Sequence, residues 1–78
     1  MDSLTYGEQA VGLTFNPSGN EMVIAVKKSF ANAIDGIHLE RSKDSNPSEK
    51  GAMLTLAIRE AQSACMWTVK AITLPEGV

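Results

Sequence analysis

The chain has 78 residues but only one cysteine, one histidine and four aromatic side chains. Cys65 has no second cysteine for an intrachain disulfide, and Cys65 with His38 falls short of the roughly four ligands of a structural zinc site. A single core in a chain of this size supplies only about 3 to 5 kcal/mol of stability. Because covalent and metal crosslinks are both missing, we expect self-association to complete the fold.

Lysine and arginine are missing from the first 26 positions, and the whole chain has a net charge of -2. Duplex DNA or RNA binding requires a basic face, so neither is an expected partner, whereas small anions stay compatible. There is no apolar run of the roughly 20 residues that span a bilayer, and no signal-peptide pattern. We expect no membrane partner, a cytoplasmic location and a reduced thiol.

The first twenty residues mix glycine and proline with isolated apolar side chains that lack helical spacing. This composition predicts an irregular N-terminal arm over residues 1–20. The aromatics of the arm, Tyr6 and Phe15, either pack it onto the helices or present a flat ring on which a nucleobase stacks.

A helical pattern begins at Glu21, after Asn20 or Ser18 as the N-cap. Its apolar residues recur in steps of three and four at Val23, Val26, Phe30, Ile34 and Ile37. Gly36 costs about 1 kcal/mol inside a helix, but packing is expected to outweigh this cost. The pattern therefore predicts a helix over residues 21–41.

A second helix is predicted after a polar turn, with Asn46 as the cap, Pro47 in the first position and Glu49 completing a capping box. The predicted divisions are an arm (1–20), a hairpin domain (21–73, with helix 21–41, turn 42–46 and helix 47–72) and a tail (74–78).

Helix two is apolar around most of its circumference. One seam comprises Leu54, Ile58, Ala61, Cys65, Thr68 and Ile72. Met66 and Trp67 lie outside this seam and are typical of core or interface packing. A single partner helix would cover one stripe along helix two and leave the rest of its apolar circumference exposed, so we expect burial on several sides. The sequence thus predicts an all-α fold, a two-helix antiparallel hairpin assembled into a symmetric oligomer.

No catalytic site can be assembled from these residues. Cys65 lies on the apolar seam and is expected to be a small buried side chain. His38, near the end of helix one, is expected to be exposed or to make a favourable contact with the helix dipole. There is no glycine-rich phosphate loop. We expect no enzyme, no catalytic residue, no metal and no cofactor.

Cations on both helices are candidates for anion binding. Lys70 either reaches solvent or pairs with an acid such as Glu60, or it meets a phosphate at a pocket between subunits. Lys27 and Lys28 point about 100° apart on a helix, so one of them addresses a given site and the other is solvated.

Three segments resemble small phage proteins built from the anti-CBASS and anti-Thoeris helical hairpin domain. They are LTFNPSGN (13–20), FANAID (30–35) and ACMWTVKAIT (64–73), and the likeness covers residues 13 to 73. The resemblance implies a hexamer in the cytoplasm of the bacterial host. Such a hexamer binds cyclic nucleotide second messengers without cleaving them and so deprives defence effectors of their signal.

The resemblance also implies roles for individual residues. Lys70 matches a basic side chain that pairs with ligand phosphate, Phe15 matches an arm aromatic that stacks on a base, and Lys28, less directly Lys27, matches a helix-one lysine that meets phosphate. Arg59 stands where relatives often have threonine, so its contribution to binding is particular to this chain.

Val69 bears on the ligand class, because relatives that bind cyclic ADP-ribose derivatives often carry asparagine there. This difference favours cyclic di- or trinucleotides as the ligand. The alternatives are a sponge for cyclic ADP-ribose isomers and a structural or regulatory hairpin oligomer without a small ligand. An enzyme that degrades the messengers is disfavoured because no catalytic constellation is present.

Overall fold

A computed structural model of the chain describes residues 3–14, 19–43 and 48–75. The regular secondary structure within these ranges consists of α-helices only. The helices are α1 (Tyr6–Ala10), α2 (Glu21–Ser42) and α3 (Glu49–Ile72). The all-α class is confirmed. Of the residues singled out above, Phe15, Ser18, Asn46 and Pro47 lie outside the described residues.

Helix α1 corrects the expectation that the arm is wholly irregular. Thr5 caps it, because its Oγ1 accepts a hydrogen bond from the Glu8 N–H at 3.1 Å while Glu8 Oε1 accepts one from the Thr5 N–H at 2.8 Å. This is the reciprocal capping box of a Thr-x-x-Glu sequence. The helix has five residues, too few to show an apolar period, so the Thr5 to Glu8 spacing was its only sequence signal.

Gly12 ends α1 in a left-handed conformation with φ of 63°. Its N–H donates to Gln9 O at 3.1 Å, and the Leu13 N–H donates to Glu8 O at 3.0 Å. These two bonds form a Schellman motif, in which glycine avoids the penalty that a Cβ would incur. The motif satisfies the last carbonyls of α1 and turns the chain.

Helix α2 begins as predicted. Asn20 Oδ1 accepts from the Met22 N–H at 2.8 Å and from the Val23 N–H at 3.3 Å, which confirms Asn20 as the cap. The helix runs through the exposed Gly36 to Ser42, one residue beyond the predicted end.

Helix α3 begins at Glu49, two residues after the predicted start. The cap is Ser48, whose Oγ accepts from the Gly51 N–H at 3.0 Å. Asn46 was therefore the wrong choice of cap. The serine hydroxyl, three residues before an unpaired N–H, satisfies it directly, and Glu49 lies favourably in the first turn of the helix dipole.

Helices α2 and α3 form the antiparallel hairpin. Arg41 Nη1, near the end of α2, donates to Thr55 Oγ1 in the first half of α3 at 3.2 Å. Glu40 lies between Lys43 and Lys50 at 3.0 and 3.9 Å, which links the two helices across the turn.

The core is small. Its buried side chains, from both hairpin helices, are Val23, Ala31, Ile34, Ile58 and Cys65. The molecule is a slab with principal extents of 49 × 34 × 13 Å. A helix with its side chains is about 10 to 12 Å across, so a slab this thin leaves broad helix faces uncovered.

Four large apolar side chains define what we call the outer face of α3. They are Met53, Leu56, Trp67 and Leu74, between 49% and 63% exposed. Contacts within the chain thus cover only part of the circumference that the sequence predicted to be buried. Within the described ranges, no helix is long and apolar enough to cross a membrane.

Candidate functional site

A cavity of about 300 Å³ lies where the end of α1 meets the hairpin. Its lining residues are Ala10, Val11, Lys27, Gln62, Cys65, Met66 and Val69. The wall is mainly apolar, with one cationic side chain and one carboxamide. This composition, apolar surface with a few polar groups, is typical of small-molecule sites.

Lys27 supplies the charge of the cavity. It is 6% exposed, and its Nζ donates to Gly12 O at 2.9 Å. A buried ammonium is costly unless it is hydrogen-bonded, and the carbonyl at the left-handed turn after α1 provides one such bond. The folded arm therefore helps to hold a cation at the cavity wall, where an anionic ligand group can approach it.

Cys65 behaves as the small buried residue that its seam predicted, with 3% exposure. Burial raises the pKa of the Cys65 thiol, and the nearby Lys27 ammonium offsets part of this rise. The thiol is thus held in its neutral form, which disfavours a nucleophilic role.

Gln62 was not predicted as a site residue. Its Nε2 donates to Ala10 O at 3.0 Å, joining α3 to the end of α1. Its place one helical turn before Cys65 and Met66 was the available sequence signal, but its partner is 52 residues away along the chain. Because this separation along the chain is so large, local sequence patterns could not predict the contact between Gln62 and Ala10.

A second set of contacts seats α1 on α2. The Gly7 N–H donates to Asp35 Oδ1 at 2.6 Å, and a Cβ on Gly7 would overlap the Ala31 carbonyl oxygen. Beside this contact, the Tyr6 and His38 rings stack with centroids 3.9 Å apart and planes 7° apart. Tyr6 therefore packs the arm onto the helix, one of the two roles open to the arm aromatics.

Arg41 holds the same cluster from the other side. Its Nη2 lies 2.9 Å from His38 Nδ1, and its guanidinium is 5.4 Å from the centroid of the Tyr6 ring. His38 is half-buried in this stack, which is neither simple exposure nor a dipole contact. Its position is explained by packing of the arm.

The predicted site residues are dispersed. Lys27 lines the cavity, whereas Lys28, Arg59 and Lys70 are exposed and do not. The ammonium of Lys70 lies 5.4 Å from the centroid of the Trp67 ring, a cation–π contact. In the part of the chain that the structure describes, none of these three exposed cations forms a salt bridge.

Residues 3–14, 19–43 and 48–75 contain no group of three or more His, Cys, Asp or Glu side chains placed to hold a metal ion.

Comparison with protein families gives a match over residues 7–73 to the model described as Acb2/Tad1, hairpin domain. The chain belongs to the Acb2/Tad1 hairpin family. This is the anti-CBASS and anti-Thoeris sponge family, as the sequence resemblance indicated. The match starts at Gly7, so the Acb2/Tad1 domain includes most of α1 and reaches into the segment predicted as an arm. No curated protein and no solved structure matches the chain.

Proposed function

We propose that this Acb2/Tad1 hairpin protein binds cyclic di- or trinucleotide second messengers and sequesters them without cleavage, so that CBASS effectors are not activated. Family membership supports a sponge role in general. The choice of cyclic oligonucleotides over cyclic ADP-ribose isomers rests on Val69, which lines the cavity as an apolar residue where binders of those isomers often have asparagine.

The proposal rests mainly on the position of Lys27, a buried cation in the wall of the cavity. A cyclic nucleotide offers a phosphate for the Lys27 ammonium and a flat base for the apolar wall of Val11, Met66 and Val69. Desolvated cations at a preformed site bind phosphate more strongly than exposed ones, since water competes less. Overall acidity does not oppose this, because the local field of the cavity acts on the ligand.

The cavity volume suggests how the ligand is shared between chains. At about 300 Å³ it is at the small end of ligand pockets and suits one nucleotide unit. A cyclic dinucleotide has two such units in a nearly two-fold arrangement. Two copies of the chain related by a two-fold axis would each bind one half, with one Lys27 for each phosphate.

The outer face of α3 is proposed as a contact between copies that is separate from the two-fold sharing of the ligand. At 100° per residue it lies on the side of α3 away from the cavity-lining Gln62, Cys65 and Val69. It presents Met53, Leu56, Trp67 and Leu74 to solvent, in two pairs between which the exposed Glu60 lies. Exposed apolar side chains grouped on one side of a helix are typical of interaction sites. A second copy of the same chain is the partner that fits, because the slab is too thin to cover this face itself. A hexamer, as the family resemblance implies, would repeat this contact by symmetry.

Lys28, Arg59 and Lys70 are proposed as a second set of phosphate contacts, brought to the ligand by neighbouring copies. Phe15 is proposed as the stacking aromatic. Lys70 and Trp67 already pair, so assembly would bring a cation and an aromatic face to the interface together.

Calorimetry with matched lysine variants tests the proposal. The ligands are a panel of cyclic dinucleotides, cyclic trinucleotides and cyclic ADP-ribose isomers. Lys27→Met is expected to weaken the tightest interaction about tenfold or more, because it removes a buried charge-assisted contact. Lys50→Met, at an exposed lysine outside the proposed ligand contacts, is the matched control for the loss of one positive charge, and a smaller effect is expected.

The outcomes separate the candidate functions. Tight binding of a cyclic oligonucleotide supports the sponge proposed here, and tight binding of cyclic ADP-ribose isomers alone supports the anti-Thoeris alternative. Absence of binding to every ligand favours a structural or regulatory oligomer. Equal affinities for the wild type and Lys27→Met would remove Lys27 from the site.

A further inference from the structure

Gln62 stands out as a neutral polar side chain in the cavity wall. A carboxamide has two N–H donors and one acceptor oxygen. A carbonyl oxygen can only accept, so the bond from Gln62 Nε2 to Ala10 O at 3.0 Å fixes which end of the amide faces α1. One of the two N–H donors is committed to the arm, and the oxygen is the other end of a planar group.

The oxygen of this amide has an open acceptor capacity. Among residues 3–14, 19–43 and 48–75, none donates a hydrogen bond to Gln62 Oε1. The neighbouring wall residues Val11, Met66 and Val69 have apolar side chains. A ligand in the cavity that covers Oε1 and excludes water from it either donates to Oε1 or leaves it unpaired, which costs binding energy.

We propose that Gln62 is a specificity-determining residue whose Oε1 accepts a hydrogen bond from an exocyclic amine of the bound base. This inference rests on the proposed function. Adenine, guanine and cytosine have such an amine, whereas uracil presents a carbonyl oxygen on each side of its single N–H. Sites built around a polar group discriminate strongly against ligands that cannot pair with it.

A thermodynamic cycle tests the assignment. Calorimetry first identifies the cyclic dinucleotide that the wild type binds most tightly. Its affinity is then compared with that of the analogue lacking the amine, which is purine for adenine or hypoxanthine for guanine. Both ligands are also measured with Gln62→Met, a variant of similar length that suits a helix but has no amide.

The wild type is expected to bind the amine-bearing ligand about three- to tenfold more tightly than its analogue, the range of one neutral hydrogen bond. Gln62→Met is expected to bind both ligands with the same affinity. A merely structural role for Gln62 would weaken both ligands by the same factor and leave their ratio unchanged.

Three results would overturn the inference while leaving the proposed function intact. They are equal wild-type affinities for the two ligands, a ratio preserved in Gln62→Met, and a preferred ligand whose bases lack an exocyclic amine. If no cyclic dinucleotide binds the wild type, the proposed dinucleotide site and this inference fail together. If Gln62→Met does not fold, Gln62→Ala takes its place in the cycle, and equal wild-type affinities for the two ligands overturn the inference without either variant.

Discussion

Gly7 is the residue at which α1 approaches α2 most closely. Gly7→Ala would place a methyl group against the Ala31 carbonyl, so α1 has to shift away from α2. We expect a loss of about 1 to 3 kcal/mol in the free energy of unfolding, as for other overpacked contacts. Urea denaturation at one fixed protein concentration measures this loss.

Gly36→Ala is the matched control for Gly7→Ala. Gly36 lies within α2, and a Cβ there meets no atom within 4 Å. The same substitution is expected to stabilise the protein by about 0.5 to 1 kcal/mol, because alanine favours the helix. A stabilising Gly7→Ala would contradict the close packing of α1 on α2.

Cys65 gives the stability of the protein a dependence on alkaline pH. Burial raises the pKa of its thiol above the ordinary value of 9.0. The unfolded chain then loses this proton at a lower pH than the folded chain does. The stability contributed by the neutral thiol is complete below the ordinary pKa and declines as the pH rises towards the folded pKa.

Cys65→Ala removes this titration. From pH 8 to 10.5, we expect the free energy of unfolding to fall more steeply for the wild type than for Cys65→Ala, measured by urea denaturation. Parallel pH profiles would contradict a raised thiol pKa. The two proteins share every other ionisable group, so the difference between the two profiles isolates Cys65.

At the scale of the helices, the Ser48 cap sets where α3 begins. Ser48→Ala leaves the Gly51 N–H without its acceptor, and we expect a loss of about 0.5 to 2 kcal/mol in unfolding free energy. Ser63→Ala, an exposed change within the same helix, is expected to be neutral or slightly stabilising. Chemical denaturation compares the two, and equal losses would refute the cap.

The two long helices could be predicted because periodicity and capping are local. Steps of three and four from Val23 to Ile37, with Asn20 in front, located α2 to within a residue at its end. Local signals were less reliable at the start of α3, where Asn46 was predicted as the cap and Pro47 as the first helical residue, whereas Ser48 is the cap. Helix α1 was missed because five residues cannot show a period.

The cavity was beyond sequence reasoning for a different reason. It depends on contacts between Gly12 and Lys27, and between Ala10 and Gln62, which are distant along the chain. The sequence identified Lys27 as one of two adjacent candidates but favoured Lys28. Lys27 differs from its exposed neighbour in two ways. It is in helical register with the buried Val23 and Ala31, a local pattern, and its Nζ donates to Gly12 O, a contact that the sequence does not show.

At the scale of the whole molecule, the exposed outer face of α3 makes assembly testable. Leu56→Glu places a charge on that face beside Met53, where burial in an oligomer would leave it unpaired and desolvated. We expect this variant to dissociate to a smaller species in size-exclusion chromatography with light scattering. Wild-type protein that is a folded monomer at micromolar concentration would contradict assembly.

Asn32→Glu is the control for an added negative charge. Asn32 is an exposed polar residue of α2, remote from the outer face of α3 in sequence. It is expected to leave the assembly unchanged. Dissociation by both variants to the same extent would show that the added charge disrupts the oligomer wherever it is placed.

Sequestration without cleavage is the central claim, and recovery of the ligand tests it most directly. A cyclic dinucleotide is mixed with excess protein, passed through an ultrafiltration membrane, and the retained protein is then denatured by heat. We predict that the ligand is depleted from the filtrate and returns chemically intact after denaturation, as measured by chromatography with mass spectrometry. A filtrate that retains all of the ligand, or a released ligand that is hydrolysed, would contradict the account.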